Sequence, residues 1–227
     1  MIKFEHTVLP SLEQMQFVIE GMRNPMNSWD KSDSYIDVPN ANCNEQSGHS
    51  FHVLGENDHS LMQRLSKAGT DHRKFMRMMS VYVRITAPLY WWKEFDTYKI
   101  GTVANSCSTM HKIQEKEFTM DDFSCEHLDL LNVKPSYDIN FVSSLKEILR
   151  CLNLARDKYL ETKDKKYWWQ MIQLLPSSYN QTRNVMLNYE VLANMYHSRK
   201  NHKLDEWREF CEWIENLPYS DLIIRED

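Results

Sequence analysis

Apolar residues in the segment 11–22 (SLEQMQFVIEGM) fall at Leu12, Met15, Val18 and Ile19, the spacing of one face of an α-helix. Ser11 stands where an N-cap belongs, Glu13 lies in the first turn, and Gln14 is placed to complete a capping box. From residue 23 to 57 this periodicity vanishes. Asn, Ser, Asp, Gly and His dominate and Pro25 and Pro39 punctuate the run, which predicts a long polar loop over 25–57. Loops of that length inside a compact domain usually serve a site or an interface.

Periodicity returns at 58–68 (DHSLMQRLSKA), where Leu61, Met62 and Leu65 share a face, with Asp58 as an acidic cap and Gly69 as the stop. Val81, Val83 and Ile85 alternate with Tyr82 and Arg84, the period of a half-buried strand. Ala87-Pro88 ends it, and Pro88 suits the first turn of a helix through Trp91, Trp92 and Phe95. After a mixed stretch over 101–136, the C-terminal third is helical in pattern. Phe141, Leu145, Ile148, Leu149 and Leu152 form one stripe; Val185, Leu187, Val191, Leu192 and Met195 suggest a second. Trp207, Phe210, Trp213 and Ile214 mark a last helix over 204–217, ended by Pro218.

Composition narrows the class. With 227 residues, 42% hydrophobic and 12% aromatic, the chain can bury a core, and a single domain over 1–227 is expected. Five glycines against thirteen methionines, with no GxGxxG or Walker-type loop, argue against Rossmann and P-loop architectures and for helices with a few strands. A net charge of -5 supplies no general pull toward nucleic acid or acidic membranes, so no polymer or membrane partner is expected. The five cysteines include no CxxC pair, the N-terminus MIKFEHTVLP lacks an apolar signal core, and no apolar run approaches the ~20 residues of a membrane span. A reducing, cytoplasmic setting follows as the expectation.

Residues 87–113, APLYWWKEFDTYKIGTVANSCSTMHKI, carry a resemblance to the core of flavin-dependent thymidylate synthases, where a strand and an Ala-Pro step lead into a helix and the signature RHRxxSxNExSxRY. On that pattern the RHR triplet falls on Thr97, Tyr98 and Lys99. The first Ser falls on Thr102, the Asn-Glu pair on Ala104 and Asn105, the second Ser on Cys107, and the Arg-Tyr on Thr109 and Met110. Residues 174–199, LLPSSYNQTRNVMLNYEVLANMYHSR, resemble the family's C-terminal stretch, with Pro176, Asn188, Leu192, Asn194 and Arg199 at matching spacings. Glu206-Trp207 is similar to its Gln-Trp-Glu with one residue inserted. The resemblance covers about 58–217 and leaves the polar loop outside.

What this resemblance implies is an α+β fold with a central, mostly antiparallel sheet, assembled as a homotetramer whose sites lie where subunits meet. It implies FAD as cofactor, with NADPH and methylenetetrahydrofolate, and transfer of a hydride and a one-carbon unit to C5 of dUMP, a methyltransferase reaction of dTMP biosynthesis without a cysteine nucleophile. It assigns flavin contacts to Thr97, Tyr98, Lys99, Asn188, Asn194 and Arg199. Arg199 is also the catalytic candidate, a fixed cation for a uracil edge or flavin carbonyl. Glu94, Thr102, Asn105, Cys107 and Thr109 take the substrate side. Departures are equally specific: Lys99 keeps a charge without the planar fork, and Tyr98 stacks and donates but is no cation. Both arginines expected at the nucleotide phosphate are gone, replaced by Thr109 and Ile172, with Lys112 or Arg183 as possible substitutes. Two readings stay open: a flavoenzyme acting on a pyrimidine nucleotide or related small molecule, and a catalytically altered or inactive nucleotide- or flavin-binding module.

Each candidate has a plainer reading beside it. The pairs Trp91-Trp92 and Trp168-Trp169 are a stacking platform or ordinary core and interface aromatics. Lys93, Glu94, Asp96 and Lys99 face a nucleotide or form a solvated helix face. Cys107, in SCS, is a nucleophile or an inert thiol. Cys43, His49, His52 and His59 match no zinc spacing, and no metal is expected. Asn188 and Asn194, taken on one helix, stand about 240° apart around its axis. Arg199 near the helix end also complements the helix dipole.

Overall fold

Ser11 opens the first helix as its sequence implies. In the computed structural model, which describes residues 2–38, 50–129 and 140–224, the Ser11 hydroxyl accepts from the Gln14 amide at 3.2 Å and the Gln14 side chain accepts from the Ser11 amide at 2.8 Å. The helices, in chain order, are α1 (Leu12–Arg23), α2 (Glu56–Lys67), α3 (Lys74–Met78), α4 (Leu89–Phe95), α5 (Thr109–Lys112), α6 (Phe141–Thr162), α7 (Lys165–Leu174), α8 (Tyr189–Arg199), α9 (Asp205–Glu215) and α10 (Asp221–Ile224). The strands are β1 (Lys3–Val8), β2 (Tyr35–Asp37), β3 (Phe51–Val53), β4 (Ser80–Pro88), β5 (Val103–Ser106) and β6 (Asn180–Asn188). Four of them form a sheet in the order β1-β4-β6-β5, and β2 pairs antiparallel with β3.

Alternation in β4 is as predicted: Val81, Val83 and Ile85 are buried, Tyr82 and Arg84 exposed. The β4–β6 pair is antiparallel. Tyr189 N donates to Met79 O and Leu89 N to Tyr179 O, while the Thr86 and Thr182 hydroxyls meet at 2.7 Å between those two ends. The helical stripe expected over residues 185–195 is corrected here. Val185 and Leu187 are buried on strand β6, and only Val191, Leu192 and Met195 belong to α8. Val185 and Leu187 stand seven and four residues before Leu192 and Val191, a helical spacing, but the backbone bonds offered by β4 decide for strand.

The chain divides into two compact units: Met1–Lys3, Arg84–Thr97 and Asn105–Asn184 in one, Phe4–Val83, Tyr98–Ala104 and Val185–Asp227 in the other. The first is centred on Leu145, Leu149, Leu152 and Met171 of α6 and α7, with Ile113, Phe118 and Phe123 packed among them. Phe141, placed on that stripe by its spacing, is exposed, and the buried face begins at Leu145. Trp91 and Trp92 are fully buried in this unit, the core reading of that pair, and Trp92 Nε1 donates to Gln181 O at 2.9 Å.

In the second unit α8 packs against α3, α9 and α10, and α2 against α10. Here Asp58 is not a helix cap: Gly55 holds the cap position and Asp58 is fully buried. Arg23 Nε donates to Asp58 Oδ1 at 2.5 Å, and Asp58 Oδ2 accepts from the hydroxyls of Ser32 and Ser34 and from the amides of Asp33 and Ser34. Burial alone would raise this carboxyl's pKa; the donors, led by Ser34, Ser32 and Arg23, bring it below the usual range. The same network organises much of the segment expected to be loop. Short 3-10 turns at Asn24–Met26 and Trp29–Lys31 lead into the β2–β3 pair, because a buried carboxylate must find donors and the chain between Ser32 and Ser34 supplies them. Residues 39–49, with Cys43 and His49, lie outside the described residues. Among the described residues no group of three or more His, Cys, Asp or Glu is arranged to hold a metal, and no helix is long and apolar enough to cross a membrane.

Candidate functional site

Arg199 closes α8, a helix whose Val191, Leu192 and Met195 are buried and whose N-cap is Asn188. Its guanidinium lies over the Trp207 ring, 4.7 Å from the centroid, and its Nε donates to the Tyr98 hydroxyl at 2.9 Å. Trp207 is fully buried in α9, and the Tyr98 and Trp207 rings meet edge-on at 6.1 Å between centroids. A cation stacked on an indole and bonded to a phenol oxygen has its plane fixed. Tyr98 comes from the signature-like segment, Arg199 and Trp207 from the C-terminal one, and the fold of the second unit brings all three together.

Asn188 is not on the helix with Asn194, so the 240° separation does not apply. It stands just outside with extended backbone, and its side-chain oxygen accepts from Val191 N at 2.9 Å. Its amide nitrogen lies 2.7 Å from where a side-chain carbon on Gly101 would be, and Gly101 has φ of 78°. The turn 98–102 is further closed by the Thr102 hydroxyl, which donates to Tyr98 O. Asn188 thus packs on the turn 98–102, from which Tyr98 reaches Arg199. Lys99 is exposed beside it.

Asn194 faces elsewhere. It lines a cleft of about 340 Å³ in the second unit, with Lys67, Arg73, His197 and Ser198 around the rim and Leu222 and Ile223 among the apolar lining. Arg73 Nε donates to Ser66 O at 2.6 Å. Tyr189, next to the Asn188 cap, donates its hydroxyl to Pro218 O at 2.5 Å, and burial holds its phenol well above the ordinary value, so it serves as a fixed neutral donor.

The remaining candidates belong to the first unit. Glu94 is half-buried on α4, and its carbonyl accepts from the Thr97 hydroxyl. Asn105 and Cys107 are exposed; Cys107 is held by its backbone, its amide donating to Thr182 O and its carbonyl accepting from Gln181 Nε2. Thr109 begins α5 behind its cap Ser108. Ile172, at a position where the resemblance expects an arginine, packs on the apolar cluster of α6 and α7. The proposed substitutes are engaged: Lys112 pairs with Glu115, and Arg183 pairs with Asp96 at 2.7 Å while stacking 4.2 Å from the Trp92 centroid.

Trp207 as the stacking partner of Arg199, and the basic rim of Lys67, Arg73 and His197, were not singled out by sequence reasoning. The rim had a signal: Asn194, His197 and Ser198 stand at i, i+3 and i+4, one face of a helix. Trp207 had none, since nothing in spacing says which aromatic a distant arginine will cover.

No protein-family model matches this sequence, and no curated protein does. Its structure is similar to that of Thymidylate Synthase X (ThyX) from Helicobacter pylori with FAD and dUMP, with a TM-score of 0.62 and 15% identity over 100% of this chain and 97% of that one. A second structure, of the flavin-dependent thymidylate synthase ThyX from the same organism complexed with FAD and dUMP, gives 0.63 and 15% over 100% and 98%. At this identity the likeness shows a shared mixed α/β fold.

Proposed function

We propose that this chain is a flavin-binding protein of the thymidylate synthase X-like fold, acting on a pyrimidine nucleotide or a related planar small molecule. The observation that carries the reading is the Tyr98–Arg199–Trp207 cluster, which joins the two sequence segments that resemble the family. The side chains present suit FAD: a guanidinium held between the Tyr98 and Trp207 rings, the exposed cation Lys99, and the amide of Asn188. When bound, FAD would supply hydride transfer, with NADPH and methylenetetrahydrofolate as the co-reactants the resemblance implies. Arg199 then orients a carbonyl-bearing ring, Tyr98 holds Arg199, and Asn188 keeps the turn at Gly101 in register. A homotetramer in the cytoplasm belongs to the same reading.

The phosphate side supports a second reading, a nucleotide- or flavin-binding module without thymidylate synthesis. A dianionic phosphate loses charge-assisted bonds worth about 1.5–3 kcal/mol each when its arginines go. Ile172 lies against an apolar cluster, and Arg183 and Lys112 already have carboxylate partners.

An absorption spectrum of the purified protein tests the first claim. A yellow protein carrying FAD, or one that takes up added FAD, is expected; a colourless protein that fails to bind it overturns the reading. Calorimetric titration of dUMP, followed by flavin oxidation with methylenetetrahydrofolate present, then separates enzyme from module.

A further inference from the structure

We draw no further inference here: the strongest candidate, the hollow of about 270 Å³ between α1 and the start of β4 lined by Phe17, Met78 and Tyr82, is an exposed apolar surface patch, and nothing in the structure shows what covers it.

Discussion

Arg199 and Tyr98 are 101 residues apart in the chain and 2.9 Å apart in the fold, the arginine Nε donating to the phenol oxygen while its plane lies over Trp207. Each of the three holds the other two. Removing the hydroxyl by Tyr98→Phe keeps the ring and should cost about 0.5–1.5 kcal/mol in urea unfolding. Arg199→Lys keeps the charge, loses the fork and the stack, and should weaken FAD uptake more than Tyr98→Phe does. FAD titration of both variants, followed by flavin fluorescence, reads the order; the reverse order would remove Arg199 from the flavin site.

Gly101 and Asn188 are coupled by contact. An alanine at 101 meets the penalty of a left-handed backbone, about 1–2 kcal/mol, and would press on the Asn188 amide 2.7 Å away. Asn188→Ala removes the α8 cap and should cost about 1 kcal/mol. In the double variant the clash is absent, so the two losses should sum to less than the separate values. Strict additivity in a double-mutant cycle would show that the contact carries no energy.

Asp58 sets an acid limit on stability. Its pKa, raised by burial but lowered further by donors from Ser34, Ser32, Arg23 and Asp33, lies below the ordinary carboxylate value in the folded state. A depressed folded-state pKa means that its stabilisation is complete above the unfolded carboxylate range, near pH ~4, and fades as pH falls through the lower folded value. Asp58→Ala leaves Arg23 buried without its partner and should cost about 3–5 kcal/mol at neutral pH. Urea midpoints from pH 7 downward should show the wild type and the variant converging in acid; parallel curves would contradict the assignment.

Two cysteines should differ in reactivity. Burial pushes the Cys211 thiol up to about 12, whereas Cys107 is exposed. Iodoacetamide on the native protein at pH 8 should alkylate Cys107 within minutes and leave Cys211 unmodified until denaturant is added. Peptide mass spectrometry distinguishes them, and early labelling of Cys211 would mean that α9 opens in the native state.

Local rules were legible wherever one element supplied its own signal. The Ser11–Gln14 box, the alternation through Val81, Val83 and Ile85, and the spacing of Leu145, Leu149 and Leu152 all read correctly, because caps and periodicities act over a few residues. Val185 and Leu187 did not, since their spacing to Leu192 and Val191 suits a helix until a neighbouring strand offers its backbone. Asp58 misled for a related reason. An acid near a helix start ordinarily faces the helix amides, and only the arrival of Arg23, Ser32 and Ser34 made its burial favourable.

The sequence by itself determined the capping box of α1, the alternation of β4 and the buried stripe of α6, that two separated segments carry a family-like spacing, and that Thr109 and Ile172 stand where the resemblance expects arginines. Tertiary structure alone decided that Tyr98, Arg199 and Trp207 pack together, that Asn188 caps a helix while Asn194 lines a separate cleft, and that Ile172 is packed on an apolar cluster. The physical reason is range. Backbone propensity and capping are settled between neighbours along the chain, whereas stacking, buried ion pairs and clefts depend on which distant side chains packing brings within about 4–6 Å of one another.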